Sequence, residues 1–378
     1  MDEVVVSRGM QLRDFALERY FARWEFAVRH NLCASDVEPV GMEELLALAD
    51  AECGALWRGL RLGYTESAGH PLLRAEIAGM YAGLAADDVL VFCGAEEAIF
   101  CGVQVLLGPG DHAVVTTPAY QSLVEVARAS GAAVTTVPLR AEDGWRLDVE
   151  RLAAALRAET RLLIINAPHN PTGMLPDAAT WARVRGLAEA RGVRLLIDEA
   201  YRGLEYVDSD RLTAGAELAP SAISVGVMSK TYALAGLRIG WLATRDREVL
   251  ARAAAFKDYT TICASAPAEI LALVGLRARA ALSRRSRDIV LANLGLAEEF
   301  FARRTERFEW IRPRAGTVAF PRLRRGDAAE FAAELVEAEG VLVLPGACFD
   351  VPGPHFRMGF GRRDFAEGLA RLAAFMDR

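Results

Sequence analysis

Between about residues 87 and 275 the chain repeats one pattern: a short, unbroken apolar run followed by a segment long enough for a helix. The runs are VLVFCG, HAVVTTP, AAVTTVPL, RLLIINAP, VRLLIDEA, AISVGVMS and LRIGWLAT. A strand with one wet face alternates apolar and polar residues, whereas these runs do not, so both of their faces must be covered. Parallel strands crossed over by helices meet that demand, and segments 148–157 and 178–190 have the length and composition of such helices. The expectation is an α/β chain whose large domain holds a mostly parallel sheet covered by helices.

The flanks read differently. Residues 12–30 place Leu17, Tyr20, Phe21, Trp24 and Val28 on one helical face and Asp14, Glu18, Glu25 and Arg29 on another, which predicts an amphipathic helix. After a charged helical region at 277–304, the segments GTVAFPRL, VLVLPG and HFRMGF with a helix near 327–339 predict a smaller α+β domain. The expected division is 50–275 for the large domain and 276–378 for the small one, joined by the N-terminal segment 1–49. No repeats or low-complexity linkers separate them, so they are expected to share an interface.

At 378 residues and 52% hydrophobic, the chain has ample material for such a core. The opening MDEVVVSRGMQLRD has no small-residue cleavage pattern, and no run reaches membrane-spanning length, so neither a secretory signal nor a membrane partner is expected. Cys33, Cys53, Cys93, Cys101, Cys263 and Cys348 are scattered in apolar surroundings without the spacing of a metal site. They read as reduced core residues of a cytoplasmic protein. A net charge of −6 argues against a nucleic-acid partner and leaves a small molecule.

Candidate chemistry gathers at the ends of the apolar runs. Lys230 follows one of them directly, with Ser229 and Arg238 on either side, a hydroxyl and a guanidinium fork that both suit a phosphate. A lone lysine beside a strand is ordinarily a solvated charge. Asp198 closes another run, where a buried carboxylate is costly unless paired. It either caps the following turn or holds a proton on a ligand's ring nitrogen. Tyr201 and Asn170 stand near it in sequence, and both can donate to a phenolic oxygen.

Taken together, Asn170-Pro171-Thr172-Gly173, Asp198-Glu199-Ala200-Tyr201 and Ser229-Lys230 resemble, in order and spacing, the class I and II aminotransferases of fold type I. The resemblance covers most of the chain. It implies a pyridoxal 5'-phosphate cofactor carried by Lys230 as a Schiff base, Asp198 on the ring nitrogen, and Asn170 and Tyr201 on the ring hydroxyl. Gly94-Ala95-Glu96 resembles the loop whose backbone, at Ala95 and Glu96, cradles the phosphate at a helix start. Tyr120, in Pro118-Ala119-Tyr120, takes the place of the aromatic ring stacked on the cofactor, where the alternative is a core aromatic. The segment beginning Gly63-Tyr64 resembles the one whose tyrosine reaches the phosphate of a neighbouring subunit, which implies a homodimer with shared active sites. Arg357, within His355-Phe356-Arg357-Met358, takes the place of the arginine that grips the substrate carboxylate, and the alternative is an edge-strand cation. No metal is implied.

The resemblance implies transamination between an L-α-amino acid and a 2-oxo acid, with Lys230, Asp198 and Tyr201 as catalytic residues. Two segments depart from the family pattern. Ser35-Asp36-Val37-Glu38-Pro39 has Val37 where a glycine is usual, so Val37 and Glu38 are candidate substrate-binding residues, and Asp36 or Glu38 could meet a cationic side chain. The same acids could instead simply start the helix GMEELLALAD. His169 stands where many relatives have asparagine, a change expected to touch the pocket. The V-E-P segment also resembles the capreomycidine synthase group, which implies an alternative outcome, β-elimination and cyclisation of a hydroxylated arginine. A ligand-sensing domain without catalysis is a further alternative, against which stands the lack of a basic helix-turn-helix region.

Overall fold

The computed structural model describes residues 10–378. The expectation about a secretory signal falls mainly on residues 1–9, outside the described residues. Seven strands form the central sheet: β1 Val89–Phe92, β2 His112–Thr117, β3 Ala133–Pro138, β4 Thr160–Asn166, β5 Arg194–Asp198, β6 Ile223–Val227 and β7 Gly240–Ala243. Their order across the sheet is β1-β7-β6-β5-β4-β2-β3. Each of the seven apolar runs supplies one strand. Strands β2 to β6 pair parallel, while β7 runs antiparallel to both β6 and β1. The cause is local. No helix crosses over between β6 and β7; the chain makes one excursion beyond the sheet and folds back, closed by Met228 N–H donating to the Ile239 carbonyl at 3.0 Å. Lys230 rides on that excursion.

Unbroken apolar strands follow from two covered faces. Leu162, Ile164 and Leu196 pack into a cluster with helix residues Ile99 and Val103, while Leu163, Ile165, Leu195 and Ile197 pack on the other side against Trp181 and Val184. Successive side chains point to opposite faces, so both sets are drawn from the same runs. Each fully buried Leu or Ile contributes roughly 1.5–3 kcal/mol.

Helix α1, Ala16–Trp24, is shorter than the expected 12–30. The apolar spacing continues to Val28, but His30–Asn31 pairs in parallel with Val341–Leu342, and Arg29 and His30 donate their N–H groups to the Gly340 carbonyl. That pairing needs extended backbone, so the helix must end first. Helix α2, Ala95–Leu106, follows β1, and the 24-residue helix α3, Arg279–Ala302, leads into the C-terminal part. There Val318–Ala319, Phe356–Gly359 and Leu344–Pro345 form an antiparallel sheet. Leu32 and Val37 join Phe301, Phe356, Phe360 and Phe365 in its apolar cluster, so the N-terminal segment packs with the C-terminal part. Among the described residues no helix is long and apolar enough to cross a membrane.

Candidate active site

Parallel strands deliver their C-terminal ends to one edge of the sheet, and loops beyond that edge are where α/β folds place ligands. Asn166 and Asp198 are register partners at the ends of β4 and β5. The Asn166 amide donates to the Asp198 carbonyl at 3.0 Å, and its Oδ1 accepts the Asn170 N–H at 2.6 Å. One side chain thus ties the Asn170 loop to the strand bearing Asp198. Beyond these ends lies a cavity of about 390 Å³ lined by Asn170, Asp198, Tyr201, Ser229, Lys230, Arg238 and Arg357, together with Ala95, Glu96 and Tyr120. A second cavity of about 420 Å³ near Arg202 and Arg279 shares only Ala200 and Val227 with it and contains none of those groups.

The ionic groups in the first cavity are held in an unusual state. Asp198 is 5% exposed and accepts one backbone hydrogen bond, from Ala200 N–H at 3.1 Å. Burial pushes its carboxyl up to about 6, against the pull of that bond and of Lys230. No cation pairs with it among the described residues. The Lys230 amine donates to Ser35 Oγ at 2.9 Å, and burial, reinforced by Arg357, Arg238 and Arg362, lowers its pKa although Asp36 opposes this. Such an amine is readied as a nucleophile and proton acceptor. The Tyr201 hydroxyl is buried without a hydrogen-bond partner; Ser35, whose Oγ accepts from Lys230, lies near it.

Arg357 is only 1% exposed. Its Nε and Nη2 donate to the Cys33 carbonyl at 3.2 and 2.8 Å, and Nη1 donates to Asn170 Oδ1 at 3.1 Å. No carboxylate pairs with it among the described residues, an arrangement that a bound anion would complete. Because Asn170 spends its oxygen on Arg357, its NH₂ group is left free to donate.

At the other end, Gly94 has φ +89°, and a Cβ there would meet Arg238 Nη2 at 2.6 Å. Only glycine lets the turn and the guanidinium sit so close. The first amides of α2, at Ala95 and Glu96, have no acceptor within the helix, and with Ser229 and Arg238 they make a concave anion site. The Glu96 side chain is turned aside and takes the Ser122 hydroxyl at 2.5 and 2.6 Å.

Other expected residues lie elsewhere. Val37 is fully buried in the C-terminal apolar cluster, and Glu38 accepts Arg363 N–H at 3.3 Å; neither lines the cavity. Asp36 does line it but is paired with Arg362 at 2.9 Å. His169 does not reach the cavity. It stands behind it, with Nε2 to the Pro118 carbonyl at 2.8 Å and Nδ1 to Thr172 Oγ1 at 2.7 Å, and burial presses its pKa down to about 4. Tyr64 is 91% exposed and outside the cavity of its own chain. Conversely, Leu17, Glu18, Phe21 and Glu25 of the α1 segment and Ser35 line the cavity without having been expected there. Glu18, Phe21 and Glu25 fall at helical spacing i, i+3, i+7, a stripe visible in the sequence, but nothing there says what it faces.

The family model for aminotransferase class I and II matches residues 31–370. The chain belongs to this family. Capreomycidine synthase of Streptomyces vinaceus is 32% identical over 368 residues, 96% of this chain and 92% of that protein. A pyridoxal-phosphate-dependent aminotransferase from Streptococcus suis superposes with a TM-score of 0.91 at 28% identity, covering 98% of this chain and 99% of the other. The pyridoxal-phosphate-dependent cyclase OrfR gives 0.90 at 30% identity, again covering 98% and 99%. This aminotransferase-family chain is therefore a fold-type I enzyme, and pyridoxal 5'-phosphate is its cofactor. The residues present fit that group: an anion cradle around Gly94, a buried carboxylate without a cation, and an unpartnered buried hydroxyl at Tyr201.

Proposed function

We propose that this enzyme transfers the amino group of an L-α-amino acid to a 2-oxo acid, with Lys230 as the covalent attachment point of the cofactor. When bound, the cofactor supplies the electron sink that makes loss of the α-proton feasible. Asp198 holds the proton on the ring nitrogen, a task for which a carboxylate poised without another cation is suited. Tyr201 and the free NH₂ group of Asn170 donate to the ring hydroxyl. Backbone at Ala95 and Glu96, with Ser229 and Arg238, holds the phosphate, and the Tyr120 ring packs over the cofactor face. Arg357 takes the substrate carboxylate in a planar two-point grip. The Lys230 amine, its pKa lowered by burial, would move the α-proton of the substrate.

The observation that carries this reading is the placing of buried Asp198, with no ion-pair partner among the described residues, and half-buried Lys230 on one cavity. Borohydride reduction of the holoenzyme should fix the cofactor on the peptide containing Lys230. Label on Lys257, a fully buried lysine whose amine donates to the Ser67 carbonyl at 2.5 Å, would refute it. Incubation with a panel of amino acids should then build up the aminated cofactor and release a 2-oxo acid.

A second reading, β-elimination and cyclisation of a hydroxylated arginine, is supported by the likeness to capreomycidine synthase and to OrfR. Ring closure without any oxo acid in the same panel would favour it.

The reading extends to the assembly. Leu62, Tyr64, Tyr259 and Ile262 are exposed apolar side chains on two segments joined by Ser67 Oγ donating to the Ile262 carbonyl at 2.8 Å. Such a patch supports a homodimer in which Tyr64 reaches the partner's phosphate site. Separate apolar clusters support the division into 50–275 and 276–378 linked by 1–49. The six unpaired cysteines support a cytoplasmic setting.

A further inference from the structure

The charges lining the active-site cavity do not cancel, and the remainder points to the substrate side chain. Five carboxylates line it: Glu18, Glu25, Asp36, Glu96 and Asp198. Asp36 is paired with Arg362, Glu96 takes the Ser122 hydroxyl, and Asp198 is assigned to the ring nitrogen. Glu18 and Glu25 remain. Glu18 is exposed and accepts only a long bond from the Tyr120 hydroxyl at 3.4 Å, and the Glu25 carboxylate has neither a hydrogen bond nor an ion pair among the described residues. Glu25 is half-buried, and its carboxyl is raised by burial and by neighbouring Asp36 and Glu18, against the pull of Arg362 and Lys230. It also caps the C-terminus of α1, the end at which the helix dipole disfavours a negative charge.

The same cavity is lined by apolar Leu17, Phe21 and Ile99. The Phe21 ring centroid is 5.9 Å from the Arg357 guanidinium, so α1 covers the group that grips the substrate carboxylate. Glu25 lies four residues farther on, about 6 Å along the helix axis. The buried Tyr201 hydroxyl without a partner and the buried Arg357 without a carboxylate independently show that this cavity is built for a ligand.

We propose that the substrate is an amino acid with an aliphatic side chain ending in a cation, guanidinium or ammonium, its stem on Leu17, Phe21 and Ile99 and its head seated by Glu25 and Glu18. This rests on the aminotransferase-type reading of the cavity, with Arg357 on the α-carboxylate. Asp36 and Glu38, the acids first suspected of this task, are paired or outside the cavity.

The test compares L-arginine and L-lysine with L-citrulline, the neutral near-isostere of arginine, and L-norleucine, using the holoenzyme and its Glu25→Gln and Glu18→Gln variants. Arginine or lysine should exceed its neutral counterpart in kcat/KM by about tenfold or more, the scale of one charge-assisted contact. The two cations are distinguished by which ratio is larger. Each Gln variant should lower that ratio severalfold. Calorimetric binding of arginine and citrulline to cofactor-loaded Lys230→Ala should show the same preference without turnover. If neither donor reacts but arginine still binds the more tightly, the transamination reading fails and the cation site stands. If citrulline and norleucine match the cations in both turnover and binding, or the ratio is unchanged in both Gln variants, the proposal is wrong. Should Glu25→Gln lose its cofactor, Glu18→Gln and the parent ratios still decide.

Discussion

Asp198 shows how a single residue can be placed against its own stability. Its carboxyl is pushed up to about 6 from the ordinary aspartate value near 4, because burial penalises the charged form. The folded state therefore binds this proton more tightly than the unfolded state does, and stability from this group falls as pH rises from about 4 to 6. That difference is worth about 3 kcal/mol. In the cofactor-free protein, Asp198→Asn should gain stability over the parent across that window, by about 1–3 kcal/mol at pH 7 in denaturant unfolding. An equal offset at pH 4 and pH 7 would rule the effect out. With cofactor bound the same variant should lose kcat on the order of 10²-fold or more, the equivalent of about 3 kcal/mol in the barrier. Normal exchange of the substrate α-proton would remove Asp198 from its assigned place. Gly94→Ala forces a side chain onto Arg238 Nη2 from a left-handed backbone, so cofactor affinity should drop about tenfold or more in spectrophotometric titration, from roughly 1–3 kcal/mol of strain.

At the scale of elements, the site depends on two loops locked behind it. Thr172 donates to His169 Nδ1 and His169 Nε2–H donates to the Pro118 carbonyl, which fixes a neutral imidazole between the Asn170 loop and the segment carrying Tyr120. Removing this ring leaves a buried carbonyl unpaired, so His169→Ala should destabilise the protein by about 1–3 kcal/mol. Cofactor dissociation should quicken as Tyr120 loosens. A variant that retains the cofactor as long as the parent would show that the two loops hold themselves. Asn166 does the corresponding work between β4 and β5, and Asn166→Ala should raise KM through a misplaced Asn170–Arg357 pair. Unchanged KM in that variant would leave Asn166 a purely structural link.

At the scale of the molecule, the prediction concerns the partner subunit. Tyr64, at 91% exposure, belongs to the proposed dimer face and not to the cavity of its own chain. Tyr64→Phe should weaken cofactor retention by roughly 0.5–3 kcal/mol, the range for one hydrogen bond to a neutral or charged group. Mixed with Lys230→Ala chains at limiting cofactor, it should form heterodimers in which both lesions fall in one site, and activity should rise above that of either parent. Subunit exchange is checked with differently tagged chains. A fully active monomer at assay concentrations would end the composite-site proposal.

How much of this was legible without coordinates follows from the range of the forces involved. Six of the seven strands were readable because a doubly covered strand must be apolar throughout; the edge strand Ala133–Pro138, with Thr135 and Thr136, is largely exposed, against the expectation that both its faces are covered. That Asn170, Asp198, Tyr201 and Lys230 gather at one cavity was readable because they sit at strand ends or just beyond, where local sequence and topology coincide. The sequence did not reveal that α1 stops at Trp24, since the pairing of His30–Asn31 with Val341–Leu342 that ends it joins segments about 310 residues apart. For the same reason the surroundings of the acids were not legible. Asp36 pairs with Arg362, more than 300 residues away, and only the packed chain shows that Glu18, still exposed, and half-buried Glu25 line the cavity beside Phe21, whose ring lies near Arg357. Hydrophobic periodicity says that a helix has two faces, and only the packed chain decides which of its charges meet water and which meet a ligand.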